Sequence, residues 1–513
     1  MRVWVIAGTL ASGAFALMWL VLRSGARPSR MAYPCQQAAM TAAAAAFGVP
    51  LASTIVAARW RLIAAMRTTV GRLASIGLAT LGVTVMAIAA NDPNVGSAPL
   101  APRAEYRPDV YLVSNARGVE SGRHGGVDDL VALMGRDGLK LHRSTTTSLT
   151  GGPNGLIDPD DVVLIKVNGQ WTQRGGTNTD VLRGLIRNIV EHPDGFTGEI
   201  VVADNGQGGG TMNPAQSNAE DTLQSTQDVV DDFADEGWTI STFLWDTIRA
   251  TGVDEFDVGD AHSGYIVDAD YDPQTQVKTS YPKFTTMYGT DISYKRGVWS
   301  SSAQSYEHDR LVVINAPVLK THMVYGVTAA VKNHMGVITT RFSTDAHYGV
   351  ARGGLGSFLA DVRRPDLNIL DAIWILARPG LGPSASYAAA SRRDQLVAGV
   401  DPVALDVWAT KNIMIPQIVE NGFAHEDYRD TQDPDNPDSV FRTYLDRSMN
   451  ELLISGIDAT NDPDAVTLHV TAGGDIPAVS SWGMVVTTLL LLTAGSLTLR
   501  RPTTAPVPQR RAP

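Results

Sequence analysis

Short runs rich in Val, Ile and Leu recur at 110–113, 162–167, 200–203, 311–314, 367–370 and 396–398. Continuous apolar runs of this length predict strands buried on both faces, as in parallel sheets. Between them lie longer stretches with helical spacing. Residues 179–191 place Val181, Leu182, Leu185, Ile186, Ile189 and Val190 on one stripe. Further helices are predicted at 127–134, 324–331, 357–362 and 403–412. The alternation predicts an α/β domain over 109–470, a mostly parallel sheet with helices on both faces. Residues 254–308 break the pattern with Asp, Tyr, Ser and Thr and are predicted to be an irregular insertion.

The ends follow a different pattern. Residues 3–22 and 73–90 are apolar runs without an internal charge. The first would span about 30 Å, one bilayer core. An Ala-rich stretch at 36–58 is a weaker span, equally readable as an interfacial or packed helix. Residues 91–108 read as a linker, 476–501 as a further apolar segment closed by Arg500 and Arg501, and 502–513 as a disordered end. N-terminal and C-terminal transmembrane helices are therefore expected beside the α/β domain. Arginine clusters at 23–30 and 59–72 and the final Arg pair are expected on the cytoplasmic side, which would put the domain outside.

Charge sharpens this division. The chain carries a net −11, which argues against a general nucleic-acid binder, yet residues 1–103 hold nine arginines and one acid, Asp92. The single cysteine, Cys35, lies outside the α/β stretch. That stretch can form no internal disulfide and can hold no cysteine-ligated iron–sulfur cluster.

The polar residues of chemical interest follow the predicted strands. Lys166 and Asn168 end one, Asp204 and Asn205 another, Lys320, Thr321 and His322 follow a third, and Asp371 follows a fourth. In open α/β sheets ligands bind outside the carboxyl ends of the strands. The pattern therefore predicts one shared crevice, against the plainer reading of each residue as a loop or cap group. Lys166 and Lys320 are candidates to hold a phosphate or carboxylate. His322, His334 and His347, with Asp204 and Asp371, are candidates for a divalent metal, although no pair has zincin spacing. The Gly-rich loop 206–210 matches neither the phosphate-loop nor the dinucleotide pattern. Asp401-Pro402 reads as a helix N-cap followed by proline at the first helical position, and Asp406 lies one turn further on.

Residues 315–322 (Asn-Ala-Pro-Val-Leu-Lys-Thr-His) and 326–336, with Gly326, Thr328, Lys332, Asn333, His334 and Gly336, resemble the central signature of the domain-of-unknown-function family 362, DUF362. Lys166-Val-Asn168, Asp371, Gly382-Pro383 and 399–406 resemble its flanking blocks. The resemblance covers about 105–415 and implies a site that includes Thr328, Lys332 and Asn333. Some family members carry ferredoxin-like cysteines, which this chain lacks. The tail from Ile476-Pro477 to Arg500-Arg501 resembles the IPTL-type C-terminal signals of the exosortase class. It implies a bacterial envelope protein met by exosortase-type processing machinery.

Two functional expectations follow. The first is an extracytoplasmic, membrane-anchored enzyme acting on a small anionic ligand. Lys166, Lys320 and Lys332 would bind the anion, with Asn168, Asn205, Thr321, Thr328 and Asn333 lining the site. His322 would transfer a proton at neutral pH, beside Lys320 and Asp371, with Asp204 or Asp371 orienting it or holding a divalent ion. The second is a non-catalytic envelope binding or surface-attachment protein, or a redox-associated protein without its own iron–sulfur cluster.

Overall fold

The computed structural model describes Pro102, residues 105–342, Thr344 and residues 346–473. In chain order the elements used below are β1 (Asp109–Ser114), α1 (Gly125–Arg136), β2 (Val162–Lys166), α2 (Thr179–Val190), β3 (Glu199–Asp204), α3 (Thr226–Asp235) and β4 (Ile240–Leu244). There follow β5 (Gly264–Val267), β6 (Ser280–Thr285), β7 (Asp291–Ser293), β8 (Gly297–Ser300), β9 (Ser305–Glu307), β10 (Leu311–Asn315), β11 (Val318–His322) and β12 (Gly326–Thr328). The last group is α4 (Ala330–Asn333), α5 (Gly354–Asp361), β13 (Leu367–Leu376), β14 (Ser391–Gly399), α6 (Pro402–Ala409), α7 (Val440–Ile454) and β15 (Thr467–Ala472).

The apolar runs build one ten-stranded sheet with the backbone order β15-β1-β14-β13-β10-β2-β3-β4. Within it only β14 and β12 run against the other strands. Alternate residues of each central strand enter opposite cores. Val162, Leu164, Leu311 and Val313 face one side, where α5, α6 and α7 pack. Val163, Ile165, Val312 and Ile314 face the other, covered by α1, α2 and α3. Burial on both faces is why these strands read as unbroken apolar runs rather than alternating ones.

Residues 254–308 are not irregular. They form a five-stranded antiparallel sheet in the order β9-β8-β7-β6-β5. Its inward positions are largely aromatic, Tyr265, Tyr281, Phe284 and Tyr294 among them, and they extend the core on the α5 side. A polar composition, with aromatic residues at several of the inward positions, hid the pattern.

The predicted helix at 324–331 is also replaced. Gly326 sits at φ +75°, and a Cβ there would lie 2.1 Å from the Thr431 carbonyl oxygen. The chain makes strand β12 and only then turns into the short helix α4. Lys320, Thr321 and His322, expected to follow the strand at 311–314, lie in a strand of their own, β11. Pro317, which has no N–H, breaks the line between β10 and β11, and both then pair with β13, the first at Leu367–Asn368 and the second from Asp371 onward. The β11–β12 hairpin thereby extends past the carboxyl ends of β2 and β10.

One point of the expected fold class is corrected. Among the described residues no helix is long and apolar enough to cross a membrane. The transmembrane helices are thus no part of the described fold. The runs at 3–22, 36–58 and 73–90, most of the linker, the 476–501 tail and the 502–513 end lie outside the described residues.

Asp401 behaves as its sequence context predicts. Its carboxylate accepts from Val403 N at 2.9 Å and Ala404 N at 3.1 Å, with Pro402 opening α6. The second oxygen accepts from Thr460 N at 3.0 Å, tying α6 to the segment before β15. Replacing Asp401 by Ala removes a cap and a buried cross-link. Urea unfolding is expected to show a loss of about 2 kcal/mol. A loss below roughly 0.5 kcal/mol, the level of an ordinary surface change, would contradict this role.

Candidate functional site

The site grows from the ends of two adjacent parallel strands. Lys166 closes β2 and Asp204 closes β3. Their side chains meet at 2.8 Å, both almost fully buried. Lys166 Nζ also donates to Val167 O at 2.8 Å and Asn333 O at 2.6 Å. Its three protons therefore each reach an oxygen. The other carboxylate oxygen of Asp204 accepts from Gly169 N and Gly206 N, both at 3.0 Å. Burial lowers the Lys166 pKa, and Asp204 works against that. Lys166, expected to grip the ligand, has no donor left for one.

Gly336 explains itself here. A Cβ at this position would lie 2.0 Å from Asp204 Oδ1 and 2.3 Å from Lys166 Nζ. The turn at 334–338 therefore closes directly over the ion pair. Asn205 holds it there: its N–H donates to Gly336 O at 2.9 Å and its side-chain amide to Ile338 O at 2.6 Å.

A chain of amides fixes the neighbouring helix. Asn168 donates to Asn333 Oδ1 at 3.4 Å, Asn333 to Asn315 Oδ1 at 2.8 Å, and Asn315 to Asn368 Oδ1 at 2.9 Å. Asn368 continues to Gly399 O at 3.1 Å, so the chain crosses from β2 to β14. Asp406 of α6 accepts from Ala330 N at 2.6 Å and Val331 N at 3.0 Å and caps α4. Burial pushes its carboxyl up to about 8. Its side chain is committed to this cap.

These supports place Lys332. It is buried, and its Nζ lies 5.0 Å from the centroid of the Tyr325 ring. Among the described residues it has neither a carboxylate nor a hydrogen-bond acceptor. Burial, with Lys166 nearby, lowers its pKa to about 7. Lys320, on β11 opposite Thr328 of β12, is fully buried and donates to Gly175 O. Burial takes it well below the ordinary lysine range, and Lys332 and Lys166 push the same way. The Oγ1 of Thr328 is buried without a partner. Thr321 turns away and donates to Arg378 O at 3.0 Å.

His322 ends β11, with its ring 5.2 Å from that of Tyr325. Its Nδ1 accepts from Val324 N at 3.0 Å and Tyr325 N at 3.2 Å. Two backbone donors on Nδ1 assign the proton of the neutral ring to Nε2. Burial, followed by Lys332, His347 and Lys320, lowers its pKa well below the usual range. The expectation that His322 titrates near neutral pH is corrected accordingly: it is a fixed Nε2–H donor.

Asp371 does not share this cluster. It lies within β13, not after a strand, and accepts from Ile373 N at 2.8 Å and Asn218 Nδ2 at 3.3 Å. Arg174 lies near it, stacked 4.2 Å over Trp374 and 5.0 Å over Tyr387. Burial raises the Asp371 carboxyl to about 7. The candidate metal set, His322, His334, Asp204 and Asp371, does not converge either. Among the described residues no group of three His, Cys, Asp or Glu side chains could hold a metal ion. His334 turns Nδ1 to Ala330 O and Val331 O, Asp204 is taken by Lys166, and His347 is exposed.

Sequence reasoning passed over Tyr325, Asn315 and Asn368 as site residues. An aromatic between apolar neighbours reads as core. The two asparagines sit in corresponding places on neighbouring strands, a relation visible only once β10 and β13 are known to pair at Asn315 and Asn368.

Fold and site together define an α/β protein with a buried lysine cluster at the carboxyl edge of its sheet. Residues 298–411 match the family model described as Domain of unknown function (DUF362), which supports the DUF362 family. The matched stretch carries Lys320, His322, Lys332, Gly336 and Asp406. No curated protein matches the chain, and no solved structure does.

Gly336→Ala should break the Lys166–Asp204 pair and cost roughly 3 kcal/mol in urea unfolding, the scale of a disrupted buried ion pair. Gly209, where a Cβ meets nothing within 4 Å, supplies the control, and Gly209→Ala should stay within about 1 kcal/mol of the parent. Equal effects at both positions would remove the steric argument.

Proposed function

We propose that the cluster binds a small anionic ligand, with Lys320 and Lys332 supplying charge and His322 Nε2–H a directed hydrogen bond. One observation carries this reading: three buried lysines lie together and, among the described residues, a single carboxylate, Asp204, answers one of them. A buried ammonium without a counter-charge gives up its proton rather than bear the desolvation. An anion entering the site supplies the missing charge.

The reading has a pH signature. In the free protein Lys332 loses its proton above about 7. A bound anion favours the charged amine and raises that value, so binding above pH 7 must draw a proton from solvent. Affinity is then greatest below about pH 7 and falls as pH rises, by up to about tenfold per unit for one linked proton. Titration calorimetry of the full chain with inorganic phosphate and with malonate, in buffers of different ionisation enthalpy at pH 8, should detect that uptake. Lys320→Met should weaken binding at least about tenfold without lowering the unliganded unfolding midpoint, because it removes a buried amine that has no counter-charge. Failure of both anions to bind, or unchanged binding by the variant, would overturn the proposal.

Stability should respond in the opposite sense. The depressed pKa of Lys332 means that between about 7 and 10.5 the unfolded chain holds more protons than the folded one. This residue's contribution therefore makes the protein more stable as pH rises through that window. Comparison of parent and Lys332→Met unfolding across pH 7 to 10 isolates it, and parallel curves would contradict the assignment.

A further inference from the structure

The three lysines differ in how many of their protons the protein accepts. Lys166 Nζ meets Val167 O, Asn333 O and Asp204 Oδ1, so every N–H is used. Lys320 Nζ meets one acceptor, Gly175 O. Lys332 Nζ meets none among the described residues, only the face of Tyr325 at 5.0 Å. A side chain that is more than nine-tenths buried and has no acceptor for its protons among the described residues is poorly placed to be an ammonium.

Its surroundings reinforce this. Lys166 faces it from β2, Lys320 and His322 from β11, and His347 from beyond Tyr325. Asp204 is spent on Lys166, and Asp406 is spent on the α4 amides. The backbone under Lys332 is fixed by that cap and by the Asn333–Asn315 bond. The result is an amine held in place, stripped of water and turned toward its neutral form by burial and by the charge of Lys166, which is how a lysine becomes a nucleophile toward a carbonyl.

We infer that Lys332 is a nucleophile that forms an imine with a short oxo acid, whose carboxylate is held by Lys320 and His322. This rests on the anion-binding reading above and names the ligand class for the same site. The Lys332 nitrogen lone pair adds to the carbonyl carbon and forms the C–N bond, while the C=O π pair passes to oxygen. That oxygen takes a proton relayed from the attacking nitrogen. A second proton, from solvent, lets it leave as water as the nitrogen lone pair closes the C=N bond. One amine, one carbonyl and one proton thus become one iminium and one water, with no redox change. His322 keeps its Nε2 proton throughout and contributes only a hydrogen bond.

The test is reductive trapping. The full chain is incubated briefly with pyruvate and cyanoborohydride, then digested and mapped by mass spectrometry. One reduced pyruvate adduct is expected on Lys332, at least about tenfold above any surface lysine, because the exposed amines stay protonated at pH 7.5. Labelling should rise from pH 6 to 8, fall with Lys320→Met, and be blocked by malonate. Mapping uses the parent protein, so the assignment does not depend on a Lys332 variant folding. If pyruvate and malonate bind by calorimetry but no adduct forms at Lys332, the nucleophile inference falls and the anion site stands. If neither binds and labelling is spread over surface lysines, both fall.

Discussion

The buried contact between Lys166 and Asp204 is the constraint around which the carboxyl edge of the sheet is arranged. Each ion alone would cost several kcal/mol in this setting. Together, with two backbone oxygens on the amine and two backbone N–H groups on the acid, they form a nearly closed set. The arrangement exists because β2 and β3 are parallel neighbours that end side by side, with Lys166 paired to Ala203 just before Asp204. It also dictates what can lie above. Only a residue without Cβ fits against the pair, and Gly336 is that residue. The turn it occupies follows α4 directly, so the ion pair helps to set the position of Lys332.

A second support comes from α6. Its two acids look alike in sequence and act differently. Asp401 caps its own helix and anchors Thr460. Asp406 reaches across to the first amides of α4. A helix of four residues has too few internal hydrogen bonds to hold itself. It persists here because a carboxylate satisfies its first donors and the amide chain secures its last residue. The lysine it carries therefore owes its position to side chains from three other elements.

The sheet was legible wherever strands are covered on both sides, since burial leaves an unbroken apolar run at 162–167 or 200–203. Legibility failed where the burial is polar. β11 hides five buried residues behind the string Val-Leu-Lys-Thr-His, which does not read as a strand because lysine and histidine are seldom buried. Asp371 failed likewise: it lies inside β13, where a carboxyl is not expected, and was placed after the strand. The helix expected at 324–331 has good helical spacing but contains Gly326, whose backbone is left-handed and lies too close to the Thr431 carbonyl for a Cβ. That contact joins residues far apart in sequence. The grouping of Lys320, His322 and Lys332 was readable as a block of nearby residues. The division of labour among the three lysines was not, since it depends on acceptors supplied by Gly175, Asn333 and Val167.

That division bears on what the site can do. A histidine beside two lysines suggests acid–base chemistry from sequence, and the geometry argues otherwise. The amides of Val324 and Tyr325 occupy Nδ1, so the ring can gain a second proton only by breaking both bonds, and Lys332 and Lys320 oppose the added charge. A ring fixed in this way orients a ligand but does not carry protons between steps. Asp371, the other expected acid, is engaged with Asn218 and the backbone. The group left with an uncommitted reactive atom is the amine of Lys332. Burial makes the same selection: it is the largest cause holding His322 neutral and the largest cause lowering the proton affinity of Lys332, with Lys166 adding to it at the amine, and for a lysine the neutral form is the nucleophilic one. The same burial thus removes the imidazole from proton transfer and frees the amine.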